Sequence, residues 1–175
     1  MGTASFLDRL RGTGPLRPER ASEHGALGPV GKASGFSDDA RLNRPYDGYP
    51  ALSLGDQREH EAGDALARLR LRWDEVRQSF HLLRQATDEL DDAGDGPFAV
   101  PCQIGSGRAT GWAEAPAGEV LYDVRAQDGR LVRCRPRSAS FHNLVLFPEV
   151  FAGDILTDFP FIEASFGLSP AGVAL

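Results

Sequence analysis

The chain has 175 residues, 41% hydrophobic and 25% charged, a balance ordinary for a single soluble globular domain with a real core. Its formal net charge of −6 excludes nucleic acid as a main partner, because phosphate binding relies on a basic surface. Cys102 and Cys134 form no CxxC and have no metal-ligand spacing to any of the four scattered histidines, so no metal site is expected, and two thiols in a reducing compartment are favoured over a disulfide.

The N-terminus carries no basic-then-apolar leader pattern, and runs such as Leu144-Val145-Leu146-Phe147 are far too short to span a bilayer. Any membrane connection is therefore expected through partner subunits. Residues 4–11 suit a short helix. The rest of 1–60, dense in Gly and Pro, reads as extended segments and turns that need something to pack against. Phe36, Tyr46 and Tyr49 are more aromatic content than a linker needs. Lys32 is the only lysine among 19 basic residues, which a GC-rich genome favouring Arg explains. Asp39 and Arg41 lie two apart, so an extended backbone would aim both to one side. Such a pair is either a loop-ordering salt bridge or a proton-relay element.

Residues 62–93 form the clearest element. Leu66, Leu69, Trp73, Val76, Phe80, Leu83 and Leu90 alternate at spacings of three and four, broken only by Thr87, as on the seam of a bundle or coiled-coil helix. Asp64 suits the positive end of the helix dipole, and Asp64–Arg68 and Arg84–Asp88 are spaced to pair on the outer face. Arg77 lies close enough to the packed face that its charge should need a partner. Gly94, Gly96 and Pro97 stop the helix. Residues 97–175 then read as a β-hairpin around Asp128-Gly129, with Val120, Tyr122 and Val124 on one face, followed by short helices interrupted by Pro148 and Pro160.

GSGRATG at 105–111 has the wrong spacing for a nucleotide-binding fingerprint and is expected to be a flexible loop. Ser and Cys nucleophiles have no visible base partner. His81 sits beside the seam as a boundary residue, and Glu114 and Glu119 flank the turn EAPAGE, each read alone as solvated.

Five segments, FLDRLRGTGPL, GPVGKASGFSDDARLNRPYDGY, GDALARLRLRWDEVRQSFHLLRQ, EAPAGEVLYDVR and RPRSASFHNL, occur in an order that resembles the large subunit of membrane-associated [NiFe] hydrogenases. They are equally similar to the homologous component of complex I (NADH-quinone oxidoreductase) that descends from it. The resemblance runs from about Phe6 to Phe166 and corresponds to the C-terminal half of such a subunit. It implies one α+β domain: a long core helix of a helical bundle, a β-hairpin and short C-terminal helices. Carried over by position, Asp39, Arg41, Pro45 and Tyr46 match the family's Asp-x-Arg…Pro-Tyr segment, Arg77 its helix arginine, and Ser140 and Asn143 its Pro-Ser-Phe-x-Asn-Leu stretch, with Ala139 in place of proline. Ala117 stands where the family normally carries Arg or Lys, a cation that would stabilise charge beside the metal centre. No nickel-ligand cysteine pair is recognisable, so the resemblance implies a degenerate site without nickel. It further implies an oxidoreductase subunit peripheral to the inner face of the membrane, inactive alone. Quinone and iron–sulfur clusters are expected in its partners: an iron–sulfur small subunit, membrane subunits and the N-terminal half of the large subunit. Asp39, Arg41, Arg77 and Glu114 are the candidate proton-path or pocket residues. The alternative is a non-catalytic structural or assembly subunit.

Overall fold

The computed structural model describes residues 4–55, 60–92, 96, 99 and 101–174, with 91 and 92 as backbone only. Helix α1 (Ala4–Leu10) fulfils the first expectation. The segment after it is not extended. It winds through α2 (Pro18–Glu23), α3 (Gly28–Lys32), α4 (Ala40–Asn43) and a 3-10 turn at Tyr49–Ala51. Each is too short to show periodicity, and each is started by local chemistry instead. Pro18, Pro29 and Pro50 occupy first-turn positions where no N–H partner is needed, and the Asp39 carboxylate caps α4 by accepting from the Arg41 N–H.

The main core joins the two ends of the chain. Leu16, Ala21, Ala26 and Val30 from the N-terminal winding pack with Leu146, Val150, Ile162 and Phe166, and Phe36, Phe147 and Phe151 close over them. Leu146 and Val150 lie in the 3-10 segment Leu144–Phe151, and Ile162 and Phe166 in α7 (Phe159–Phe166). Helix α6 (Ala139–Asn143), the 3-10 turn Leu156–Asp158 and α8 (Pro170–Val173) complete the C-terminal part. Pro160 begins α7 rather than interrupting a helix, because a first-turn proline removes only an N–H that has no intrahelical acceptor.

Helix α5 (Ala65–Asp92) runs 28 residues. Of the stop expected at Gly94, Gly96 and Pro97, positions 94 and 97 lie outside the described residues. Asp64 caps the start, accepting from the Ala67 N–H at 2.7 Å and the Gly12 N–H at 2.8 Å. It makes no outer-face pair with Arg68, which is fully buried and donates to the carbonyls of Gly63 and Gly14 (2.5 and 2.9 Å) and to Ser165 Oγ (2.9 Å). Arg68 also lies over the Phe166 ring at 4.7 Å. Burial, with the neighbouring Arg72 charge, lowers its pKa to about 9, so it remains charged at neutral pH. Arg72 donates to the Ser165 and Phe166 carbonyls, satisfying the last turn of α7.

The face of α5 laid on the body therefore carries Arg68, Leu71, Glu75, Gln78, Leu82 and Gln85. The apolar seam behaves otherwise: Leu66 is buried, but Leu69, Trp73, Val76, Phe80, Leu83 and Leu90 are exposed. At 100° per residue the exposed seam lies roughly 150° around the helix from the docked face.

The sheet has three antiparallel strands in the order β1–β2–β3, one more than the hairpin expected: β1 (Gly107–Ala115), β2 (Gly118–Gln127) and β3 (Arg130–Arg137). The expected loop at 105–111 thus turns into a strand at Gly107, paired with β2 across nine positions from Gly107↔Ala126 to Ala115↔Gly118. Asp128 and Gly129 take φ of 50° and 77°, the left-handed pair of a tight hairpin turn. The architecture is the expected α+β class, with a long helix, a sheet and short C-terminal helices.

Candidate functional site

Lys32, at the end of α3, points into the space between α4, α5 and the base of β1. Its ammonium donates to Asp39 Oδ2 at 2.7 Å and Glu75 Oε1 at 3.1 Å, with Glu114 Oε1 at 3.9 Å. Arg41 binds Asp39 in the bidentate manner, Nε to Oδ1 at 2.9 Å and a terminal nitrogen to Oδ2 at 2.7 Å, and reaches Gln78 at 3.1 Å. The side chains of Lys32, Asp39 and Glu114 are only 6%, 2% and 6% exposed, so this is an interior ionic cluster. Two cations face three carboxyls.

The electrostatics follow from that count. Burial drives Asp39 upward, but the bonds and charges of Arg41 and Lys32 prevail and lower its pKa to about 2. Burial also opposes the Lys32 charge; the bond to Asp39 and the charges of Asp39, Glu75 and Glu114 overcome it, and Lys32 sits above the ordinary lysine value. Glu114 goes the other way. Burial raises its pKa, and the Asp39 charge adds to the rise against the Ala40 N–H (3.1 Å), Lys32 and Arg41. Of the carboxyls Asp39 and Glu114, it is the one shifted toward holding a proton.

The cluster opens on a cleft of about 390 Å³ lined by Arg41, Glu75, Glu114, Tyr49, Arg72 and Val76, with Ser79, Ala115 and Pro116 at its margin. The Tyr46 hydroxyl accepts the Glu114 N–H at 2.7 Å and fixes the strand end from which that carboxyl projects. The Pro116-Ala117 turn between β1 and β2 is held from outside. A Cβ at Gly118 would come within 2.7 Å of the Gly28 nitrogen, and one at Gly28 would collide with the Ala117 carbonyl, so the two backbones touch where only glycine permits it. The Asn143 amide in turn brackets Leu27, accepting from its N–H and donating to its carbonyl at 3.0 Å each.

Of the residues singled out in the sequence, Asp39, Arg41 and Glu114 meet here. They do so because Asp39 caps a helix, not because the backbone is extended. Arg77 does not join them; it is exposed, and the charged α5 residues that face the cleft are Arg72 and Glu75. Glu114 is buried rather than solvated, and so is Glu119, which pairs with Arg44 and, at 3.4 Å, with Arg137. His81 is exposed. Sequence reasoning misses Lys32 and Glu75. The one signal for Lys32 is its being the sole lysine; Glu75 is 43 positions away and only the fold brings it near. Ser140 and Asn143 are buried and act as brackets, Ser140 Oγ accepting from the Ser169 N–H at 3.0 Å.

Nickel, the metal of the hydrogenases this chain resembles, does not fit these residues. Both thiols, Cys102 and Cys134, are exposed, and among the described residues no group of three His, Cys, Asp or Glu side chains is arranged to hold a metal ion.

Comparison with known proteins agrees with this architecture. A family model described as the respiratory-chain NADH dehydrogenase 49-kDa subunit matches residues 2–102 and 98–173. An NADH-quinone oxidoreductase subunit of Opitutus terrae is 33% identical over 162 residues, covering 86% of this chain and 38% of that protein. A carbon monoxide-induced hydrogenase of Rhodospirillum rubrum is 32% identical over 162 residues, covering 92% and 44%. Among solved structures, a chain of the membrane-bound sulfane sulfur reductase, an archaeal respiratory membrane complex, superposes with a TM-score of 0.86 at 28% identity, over 100% of this chain and 49% of that one. The chain thus spans less than half the length of the curated relatives it matches.

Proposed function

This chain belongs to the respiratory-chain NADH dehydrogenase 49-kDa subunit family, and we propose that it is a large-subunit-like component of a membrane-bound, complex I- and hydrogenase-related oxidoreductase. In this reading it walls a quinone- or proton-coupled redox site without a nickel centre. Iron–sulfur clusters and quinone belong to partner subunits, through which the chain sits peripherally on the inner face of the membrane. Among the described residues no helix is long and apolar enough to cross a bilayer, which accords with a peripheral place.

The observation that carries the reading is the interior cluster opening on the cleft. Glu114 is buried, lines the open space and is shifted toward holding a proton, the direction that general acid–base work by a carboxyl calls for. Burial with Lys32, Asp39 and Arg41 sets that balance, and these residues with Glu75 give the proton a charged neighbourhood to leave through. Arg72, one turn before Glu75 on α5, also lines the cleft and places a cation there for an anionic intermediate of the acceptor.

The test uses the assembly purified from source membranes through a tag on this chain. Expected are electron transfer to a short-chain quinone, nickel well below one per chain, and a fall of about a hundredfold in turnover for Glu114→Gln, the scale of a lost proton-transfer group. Stoichiometric nickel with hydrogen uptake would overturn the reading. The scaffold alternative, favoured by the bare methyl at Ala117, is identified by full turnover in Glu114→Gln together with loss of the assembly when the chain is deleted.

A further inference from the structure

Arg72 is a half-buried cation that no carboxylate meets at ion-pair distance among the described residues. Its guanidinium caps the end of α7 through the Ser165 and Phe166 carbonyls, which occupies two of the five N–H donors an arginine carries. The other three have no partner among the described residues, and the side chain lines the cleft of about 390 Å³. Glu75, one turn on, is engaged with Lys32 at 3.1 Å, and Arg68, one turn back, adds like charge. A Cβ at Gly167 would come within 2.9 Å of a terminal nitrogen of Arg72, so this glycine, at a φ of 64°, keeps the place of the guanidinium open. A guanidinium withdrawn from water without a counter-ion costs free energy, and burial does pull Arg72 below the ordinary arginine value. The other polar groups of the wall are mostly engaged: Arg41 holds Asp39, and the Ser79 hydroxyl donates to the Glu75 carbonyl at 2.8 Å. Val76, Ala115 and Pro116 supply an apolar side, and the volume lies in the range that takes small molecules.

We infer that the cleft binds a small organic acid, whose carboxylate meets the open donors of Arg72 and whose apolar part lies against Val76, Ala115 and Pro116. The planar guanidinium fork matches a carboxylate, which it can hold through two parallel hydrogen bonds. The charges that share the cleft with Glu114 decide how the acid is bound. They are Lys32 from α3, Asp39 and Arg41 at α4, and Arg72 and Glu75 from α5, with the phenols of Tyr46 and Tyr49 beside them. Three cations and three carboxyls balance when every carboxyl is ionised. A proton on Glu114 leaves one cation over, which a single negative charge then neutralises. The acid therefore enters as its anion together with a proton on Glu114, a state that burial of that carboxyl already favours. A dianion would exceed the charge available. The inference rests on the redox reading only for the use to which the bound acid is put; the binding itself is a property of the cleft.

The test is equilibrium dialysis of radiolabelled butyrate against the assembly purified through a tag on this chain, with no electron donor or acceptor present. One saturable site per chain is expected, with butyramide and sulfate each competing at least about tenfold more weakly than unlabelled butyrate. Affinity should rise, by up to about tenfold per unit, as pH falls from 7 to 5.5, and Glu114→Gln should remove that dependence. Arg72→Gln should weaken binding by about tenfold or more. Ser79→Asp, a change at an exposed helical position that sets a like charge at the cleft margin, should weaken it several-fold without altering the melting temperature. No saturable binding, equal competition by butyramide, an affinity independent of pH, or unchanged binding in Ser79→Asp would each overturn the assignment. Because no turnover is measured, butyrate bound by an assembly that reduces no quinone would sink the redox reading and leave this one standing.

Discussion

Replacing Lys32 by Met tests the cluster at its centre. In the native chain one ammonium and one guanidinium serve three carboxyls, with Lys32, Asp39 and Glu114 nearly withdrawn from water at the head of the cleft. The strength of the arrangement can be gauged from Asp39. Its carboxyl at about 2, against an ordinary 3.8, corresponds to about 2 kcal/mol of preference for the charged form. Lys32→Met leaves Asp39 to Arg41 and strands Glu75 and Glu114. Removing one partner from a buried ion pair costs about 3–5 kcal/mol. For a chain of this length each kcal/mol moves the melting temperature by about 2–4 °C, so a loss of about 10 °C is expected at pH 7.

The pH dependence supplies an internal control. Asp39 has a depressed pKa, so its contribution is complete above 3.8 and is lost as pH falls through about 2. Lys32 has a raised pKa, so its contribution is complete below 10.5 and is lost as pH rises through the folded value. Both are therefore constant across neutral pH. Glu114, also raised, binds its proton more tightly folded than unfolded, so it favours the folded state progressively as pH falls toward and through its raised value. Without Lys32 that tendency grows, and the variant should regain stability faster than wild type as pH is lowered from 7 toward the ordinary glutamate value of 4.5. Adding Glu114→Gln to Lys32→Met should recover about 1 kcal/mol, the coupling expected of neighbours that share a charge. Differential scanning calorimetry reads all three. A Lys32→Met chain melting within about 2 °C of wild type at pH 7 would show that the cluster is not coupled as the distances indicate.

Two further substitutions test the frame around the site. Arg68→Ala empties a buried volume and orphans the Gly14 carbonyl, with an expected loss of about 3 kcal/mol in urea unfolding; Arg68→Met refills the volume and should lose less. Gly28→Ala forces a methyl onto the Ala117 carbonyl at a φ of 56°, and should cost more than about 2 kcal/mol in the same assay, against a few tenths for the open position Gly48→Ala.

How legible this was in the sequence depended on the length of each signal. The 28 residues of α5 repeat the three-four spacing often enough to be unmistakable, and Asp128-Gly129 names its own turn. Periodicity locates an apolar stripe, however, and says nothing of who covers it. The chain itself lies against the polar face, with Arg68 and Arg72 on α7 and Glu75 on Lys32. The helical turns of residues 18–51 are each a few residues long and start from a proline or a cap, below the length at which a period can be read. Strand β1 hid in Gly-Ser-Gly-Arg-Ala-Thr-Gly because its pairing comes from β2, not from its own propensity. Asp39 and Arg41 were visible as a local pair. Their counterparts Lys32, Glu75 and Glu114 become a site only when α3, α5 and β1 converge.

The turn at Ala117 joins these lines. Its shape is fixed by the contact of Gly118 with Gly28 and by Asn143 bracketing Leu27, none of which involves the side chain at 117. A cation can therefore be absent from this position without disturbing the fold, and Glu114, three residues earlier, keeps its buried place. What changes is the charge in the cleft. With a methyl at 117, the cations left to balance Glu114 are Lys32 and Arg41, and both are already engaged with Asp39. Burial is the larger cause of the raised pKa of Glu114, and Lys32 and Arg41 offset it only in part. A site that once offered a fixed positive charge, as the family resemblance implies, here offers a carboxyl with an enhanced hold on a proton. On the function proposed above, that difference favours proton-coupled chemistry in the cleft over stabilisation of a metal centre.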